Sequence, residues 1–293
     1  MKKFIFVWFS LISALLAEIH VVTTYPYLAE IAKEVGGEGV RVKSLASPKF
    51  DPHFILPKPS LIPALRKADL LVINGAGLEI GWLPPLIKRA NNPKIRPGGE
   101  GFVDASRVVD LLGKTHAVSR AYGDVHPEGN PHYALDPHNV LPIAALIERK
   151  LETIDPASKR RYRENFDRFS REWREFLKDF DAKMARCRGK KVVQYHELYN
   201  YLLHRYGMES TGTIEPLPGI APSSKHTVEL IGMMKKEGVD TILQDVYHES
   251  KTARFIASKT EAKVVVLPHD VGAVEGADTL RKFYETVAER LCR

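Results

Sequence analysis

"EIHVVTTYPYLAEIAKEVGGEGVRVKSLA", residues 18 to 46, decides the fold class. Its first part, EIHVVTTYPY, reads as a short strand and the loop after it. YLAEIAKEVGG carries apolar residues at helical spacing and closes on Gly36 and Gly37, and VRVKSLA reads as a second strand. Strand, helix and strand in these 29 residues begin a βαβ rhythm. Outward from there the rhythm continues: PSLIPALRKA (59–68) is a helix, DLLVINGAG (69–77) a strand ending in glycines, and WLPPLIKRA (82–90) a helix. Alternation of this kind builds a parallel sheet with helices on its faces, and ligands of such sheets sit at the carboxyl ends of the strands.

The same alternation returns after Gly189. KKVVQYH (190–196) is a strand, ELYNYLLHRYG (197–207) and TVELIGMMKKEG (227–238) are helices, and VDTILQDV (239–246) is a strand. SKTARFIASKT (250–260) is a helix, AKVVVLPHD (262–270) a strand, and GADTLRKFYETVAERL (276–291) a closing helix. Between the halves, residues 155–186 form the clearest single element. Asp155 is a suitable N-cap, Pro156 suits the first helical position, and Tyr162, Phe166, Phe169, Trp173, Phe176, Leu177, Phe180 and Met184 make one apolar stripe. A helix of about 32 residues measures roughly 48 Å, long enough to brace two lobes and to restrict their closure. An aromatic stripe at this spacing is a packing face. The expected fold is therefore α/β, with two similar lobes, each a parallel sheet flanked by helices, joined by one long rigid backbone helix. The boundaries expected are a leader at 1–17, lobes at 18–150 and 188–293, and the linking helix at 151–187.

Composition narrows the class. The chain has 293 residues, 44% of them hydrophobic, and a formal charge of +7 to which Lys2 and Lys3 contribute. MKKFIFVWFSLISALLA joins that basic pair to an apolar run from Phe4 to about Leu16 and a small residue, Ala17, at a cleavage point. The run is too short to span a bilayer and reads as a secretory signal peptide, which implies an exported protein without stable membrane insertion. The remaining excess of Lys and Arg is an ordinary solvated surface; no basic tract interleaved with aromatics suggests nucleic acid. Cys187 and Cys292 are the only cysteines. In an exported chain they form a disulfide or remain as two buried thiols, and their distance in sequence excludes a CxxC redox or zinc motif.

DPHFILPKPS (51–60) mounts a histidine in a loop stiffened by Pro52, Pro57 and Pro59, which holds a side chain at low entropic cost. Three further ligand types stand in equivalent places. His132 lies in GNPHYALDP, His196 ends the strand KKVVQYH, and Asp270 ends AKVVVLPHD. Two precede the long helix and two follow it, the distribution a metal between two lobes requires. Neutral imidazoles suit a borderline ion such as Zn2+, one carboxylate offsets part of its charge, and three His with one Asp fill a tetrahedral shell. His20, His116, His138, His204, His226 and His248 read as surface or capping residues, and His126 and His269 as secondary ligands. Residues 104–131, with His116 and His126, read as a mobile surface loop.

At DPHFILPKPS, GNPHYALDP, VVQYHELYNYLLHRYGM and VVVLPHDVGA the chain resembles the metal-binding receptors of bacterial ABC importers for zinc and manganese, over nearly its whole length. The resemblance implies a periplasmic, monomeric receptor that passes its metal to an ABC transporter membrane permease, and it implies His53, His132, His196 and Asp270 as ligands. Asp245 is an outside candidate for the fourth place. Receptors for manganese tend to carry a carboxylate at the third position and those for zinc a histidine, so His196 argues for Zn2+ over Mn2+ or iron. The long His- and acid-rich loop that often precedes the second ligand in zinc receptors is reduced here to His116 and His126.

Two other classes use the same residues. A secreted zinc-dependent hydrolase would take Glu197 as general base, but HExxH and Gly-x-Ser-x-Gly are both missing and a fourth protein ligand would close the shell. An exported adhesion protein would hold its metal structurally. The expected protein is not an enzyme.

Overall fold

The computed structural model describes residues 18–114, 126–217 and 219–292, so the leader at 1–17 and His116 lie outside the described residues. The opening stretch forms β1 (Ile19–Thr23), α1 (Pro26–Gly36) and β2 (Val40–Ser44), with β1 and β2 parallel from Ile19 opposite Val40 to Thr23 opposite Ser44. α2 (Ile62–Lys67) and β3 (Leu70–Ile73) follow, then α3 (Leu83–Ala90) and β4 (Phe102–Asp104). The four strands make one parallel sheet in the order β2-β1-β3-β4. Chain direction across the sheet reverses between β1 and β3, which opens a crevice at their carboxyl ends.

α4 (Val140–Ile154) leads into the long helix. α5 (Lys159–Met184) is prolonged by a 3-10 turn at each end, Pro156–Ser158 and Ala185–Cys187. Asp155 differs from the expected cap: it makes no side-chain bond to the first amides and instead accepts the Tyr162 hydroxyl proton at 2.9 Å. The apolar stripe is buried as its spacing requires. Trp173 is fully buried, stacks near Phe176 at 4.7 Å between ring centroids, and donates its indole N–H to the Pro137 carbonyl.

Past that helix come β5 (Lys191–Gln194), α6 (Asn200–Tyr206), β6 (Glu209–Thr213), α7 (Ser224–Glu237), β7 (Thr241–Gln244), α8 (Lys251–Thr260), β8 (Lys263–Val266) and α9 (Leu280–Leu291). Their sheet, parallel throughout, has the order β6-β5-β7-β8, the same permutation as the first. Two strands escape a reading by periodicity, β4 and β6. Both are edge strands, one only three residues long and the other, ESTGT, polar and largely solvated. An edge strand with one paired flank needs little apolar surface, so its sequence carries little signal.

One continuous core runs from the first sheet through α1, α4 and α5 into α6 and α9. A smaller one, around Ile214, Leu230, Ile242 and Ile256, fills the second sheet's outer side. Cys187 and Cys292 are joined, which ties the end of α9 to the end of the long helix. Among the described residues no helix is long and apolar enough to cross a membrane.

Candidate metal centre

The carboxyl ends of both sheets meet across the gap between the halves, and three histidines stand there. His53 is fixed first by its own loop. Asp51 accepts the His53 backbone N–H at 2.9 Å and its ring Nδ1–H at 2.7 Å, and the Tyr25 hydroxyl donates to the Pro52 carbonyl at 2.9 Å. Burial pushes the Asp51 carboxyl up, but the hydrogen bonds and charge of His53 outweigh it and hold it below the usual range. With Nδ1 occupied, Nε2 of His53 is buried without a partner.

His132 enters between Asn130 and Tyr133. Asn130 accepts its backbone N–H at 2.9 Å, Asn74 donates to the Pro131 carbonyl at 3.1 Å, and the Tyr133 hydroxyl donates to the Asn74 carbonyl. Burial, and then the neighbouring imidazoles His53 and His196, hold its basicity well below that of an ordinary histidine. It therefore stays neutral, the state a metal needs.

His196 follows β5 by two residues and is 6% exposed. Its Nδ1 lies 3.0 Å from Glu215 Oε2 and its Nε2 lies 3.3 Å from Nε2 of His132. Behind it stands a relay. His248 places Nε2 3.3 Å from the other Glu215 oxygen and Nδ1 2.8 Å from Asp245, and stacks on Tyr195 at 4.3 Å. For Glu215 burial acts upward, but bonds to His196 and His248 bring it down to about 2. For His248 burial acts downward, but Asp245 and Glu215 raise it to about 9.

One ligand atom from each of His53, His132 and His196 lies within 4.8 Å of the other two. The ring centroids are 5.0 to 5.4 Å apart. Asp51 and Glu215 take the Nδ1 protons, so the Nε2 lone pairs of His53 and His196 converge on one point beside His132. Lone pairs so grouped repel one another unless a cation or a shared proton lies between them. A cavity of about 260 Å3, bordered by Asp51, His53, Phe54, His196, Glu215 and His248, gives access from outside.

Asp270 stands apart from the trio. Its Oδ1 accepts the backbone N–H of Tyr27 at 2.8 Å and of Val271 at 2.6 Å, so it caps the first turn of α1 from the opposite half of the chain. Burial raises it to about 8 despite those bonds. Asp245 is committed to His248 and to the amides of Tyr247 and His248. Glu197 is exposed and offers only its backbone carbonyl, to Asn130, which removes it as a base on a bound water. His269 is buried with Nδ1 unpartnered, outside the trio. His126 packs its ring 5.3 Å from that of His53. Glu215, against His196, and His248, behind Glu215, are the neighbours of the cluster that sequence reasoning misses. Nothing local marks either one as facing His196, because an acid that hydrogen-bonds a histidine ring has no required spacing from it in sequence.

Residues 21–292 match the family described as zinc-uptake complex component A, periplasmic. A high-affinity zinc uptake system protein ZnuA from Bacillus subtilis (strain 168) is 26% identical over 260 residues, 85% of this chain and 78% of that protein. A crystal structure of ZnuA superposes with a TM-score of 0.76 at 22% identity, over 94% of this chain and 99% of that one. The substrate-binding protein FpvC from Pseudomonas aeruginosa, in complex with Mn2+, superposes with a TM-score of 0.74 at 23% identity, over 94% and 98%. The last two likenesses establish the two-lobe fold.

Proposed function

This chain belongs to the periplasmic zinc-uptake component A family, and from that premise we propose that it captures Zn2+ between lobes 18–150 and 188–293 and delivers it to an ABC-type permease. The family is one of transport components and not of enzymes. In this reading residues 1–17 direct export to the periplasm and are removed, residues 151–187 brace the lobes, and the receptor works as a monomer. His53, His132 and His196 hold the cation. The expectation that Asp270 completes the shell meets its engagement with the α1 amides.

The observation that carries the proposal is the convergence of three imidazoles, two of them oriented through Nδ1 by buried or half-buried carboxylates. Nitrogen donors favour Zn2+, whereas Mn2+ prefers oxygen and higher coordination. A manganese receptor is the second reading, favoured by the Mn2+ complex of FpvC. Both are tested by metal content and competitive chelator titration of the mature protein beside His196→Ala. The expected result is one tightly held Zn2+ per chain, displaced poorly by Mn2+ and lost in the variant. Equal binding in both proteins would remove His196 from the site, and preference for Mn2+ would reverse the choice of metal.

A further inference from the structure

Asn74 is the first residue past β3, at the carboxyl end of the first sheet; it is buried, and every polar atom it has is spent inside the protein. Its Nδ2 donates to the carbonyls of Pro131 at 3.1 Å and Gly75 at 3.2 Å, and its Oδ1 accepts the Tyr27 hydroxyl proton at 2.7 Å. Carbonyls only accept, so the carboxamide has one orientation. The Asn74 backbone N–H goes to Glu79 Oε1 at 2.7 Å, and its carbonyl takes the Tyr133 hydroxyl and the backbone N–H of Ser106 at 3.0 Å.

Two of these bonds meet around His132. The peptide unit between Pro131 and His132 is held at both ends, its carbonyl by Asn74 and its N–H by Asn130 Oδ1 at 2.9 Å. The next residue, Tyr133, returns its hydroxyl to Asn74. A planar unit fixed at oxygen and nitrogen fixes the direction in which His132 leaves the backbone. His132 needs this more than its companions do. Asp51 and Glu215 bond the rings of His53 and His196 directly, whereas among the described residues no carboxylate hydrogen-bonds the His132 ring.

Asn74 is anchored in turn. Buried Glu79 accepts the backbone N–H of Gly75 at 3.1 Å and the Thr24 hydroxyl at 2.7 Å besides the Asn74 N–H. The turn it closes runs through Gly75, Ala76 and Gly77 at φ of 80°, 50° and 78°. A left-handed alanine between two left-handed glycines costs free energy and persists only where the surroundings over-determine it. What the strained turn delivers is the Asn74 carboxamide, set against a carbonyl 57 residues further along the chain.

We propose that Asn74, anchored by Glu79, is the positioning residue of His132: it touches no metal and sets the angle at which that imidazole meets the divalent cation. This deepens the zinc-receptor reading and rests on it. Losing the carboxamide leaves all three imidazoles in the chain but frees one of them to swing, so the loss of binding passes through His132.

The test is a double-mutant cycle on Zn2+ affinity, read by chelator competition on the mature full chain, with melting of the metal-free proteins recorded beside it. Wild type, Asn74→Ala, His132→Ala and the double variant make the cycle. Asn74→Ala is expected to weaken Zn2+ roughly 10- to 100-fold, the loss typical when a group that supports a metal ligand is removed. In the His132→Ala background the same change should alter the remaining affinity by less than about threefold, because the residue it acts through is gone. Tyr27→Phe deletes one buried oxygen and with it the bond to Asn74 Oδ1. It should weaken Zn2+ to a smaller degree with the same dependence on His132, and it takes the place of Asn74→Ala in the cycle if that variant does not fold. Equal losses with and without His132 overturn the inference. A lowered melting temperature with unchanged affinity also overturns it, since that marks a residue of the scaffold alone. Both results leave the receptor reading intact, whereas a wild type that binds no Zn2+ overturns that reading and this inference together.

Discussion

At the scale of the residue, a histidine becomes a ligand through its other nitrogen. His53 and His196 are each fixed by a carboxylate on Nδ1, Asp51 at 2.7 Å and Glu215 at 3.0 Å. Glu215→Gln keeps size and shape but removes the charge that favours Nδ1–H on His196, and the amide can present its N–H2 to the ring instead. We expect Zn2+ affinity to fall by about 10- to 100-fold. The protein should keep its thermal stability with chelator present to within a few degrees. Chelator competition measures the first and calorimetry the second; unchanged affinity would reduce Glu215 to a packing residue. The three clustered histidines were legible as candidates from Pro-bounded turns and strand ends, because those motifs are local. Glu215 was not, since it reaches His196 only after β6 returns the chain beside β5.

At the scale of the element, the N-terminus of α1 has no side-chain cap of its own and borrows Asp270 from the other half. That contact has a pH signature whose sign follows from the shifts. Asp270 is raised by burial to about 8 and Glu79 by burial to about 7, so in the folded chain each binds a proton that the unfolded chain has released. Their stabilisation is lost as pH rises from the ordinary carboxyl range to those values. His248, raised to about 9 by Asp245 and Glu215 against the opposing effect of burial, likewise loses its contribution between about 6.5 and 9. His126 and His269 are lowered by burial to about 4, and His132 well below its ordinary value; these add stability as pH rises, but only up to about 6.5. Above that pH every shift acts in one direction. The metal-free protein should melt at progressively lower temperature from pH 6.5 to 9, and Asp270→Asn should flatten the part below pH 8. A melting curve independent of pH over this range in the wild type would refute the assignment. The interior strands and the long helix were readable because apolar spacing marks them. Asp270's place on α1 was not, because a cap supplied from 243 residues away leaves no local trace.

At the scale of the whole molecule, two sheets of identical strand order are fused by one core rather than hinged on a bare linker. α9 packs on α5, Tyr284 donates to the Ala134 carbonyl at 2.6 Å, Tyr201 to that of Asn130 at 2.7 Å, and Arg205 holds Asp136 through two nitrogens. The Cys187–Cys292 bridge closes a span of 105 residues that contains the entire second sheet. Confining a loop of that length in the unfolded chain is worth about 4–5 kcal/mol in the chain-entropy account, and measured losses on removing a native bridge run about 2–5 kcal/mol. The double variant Cys187→Ser/Cys292→Ser should therefore lose about 2–5 kcal/mol in urea unfolding while retaining Zn2+, since the cysteine sulfurs contact Leu291 and Met184 and none of the three histidines. Stability within about 0.5 kcal/mol of wild type would mean that the bridge contributes nothing to the fold.

By itself the amino-acid sequence determined the alternation of strand and helix, the repetition of that alternation after Gly189, the long aromatic-striped helix, and the histidines mounted in stiff turns. Each is a short-range pattern, and short-range patterns survive in one dimension because steric preference and apolar spacing act between near neighbours. Only the tertiary structure decided that β4 and β6 complete the sheets, that Glu215 and His248 stand behind His196, that Asp270 caps α1, and that His126 packs its ring beside His53. Those are relations between residues far apart along the chain. Their free energy comes from burial and charge at close range, which exist only once both sheets have closed on a common core.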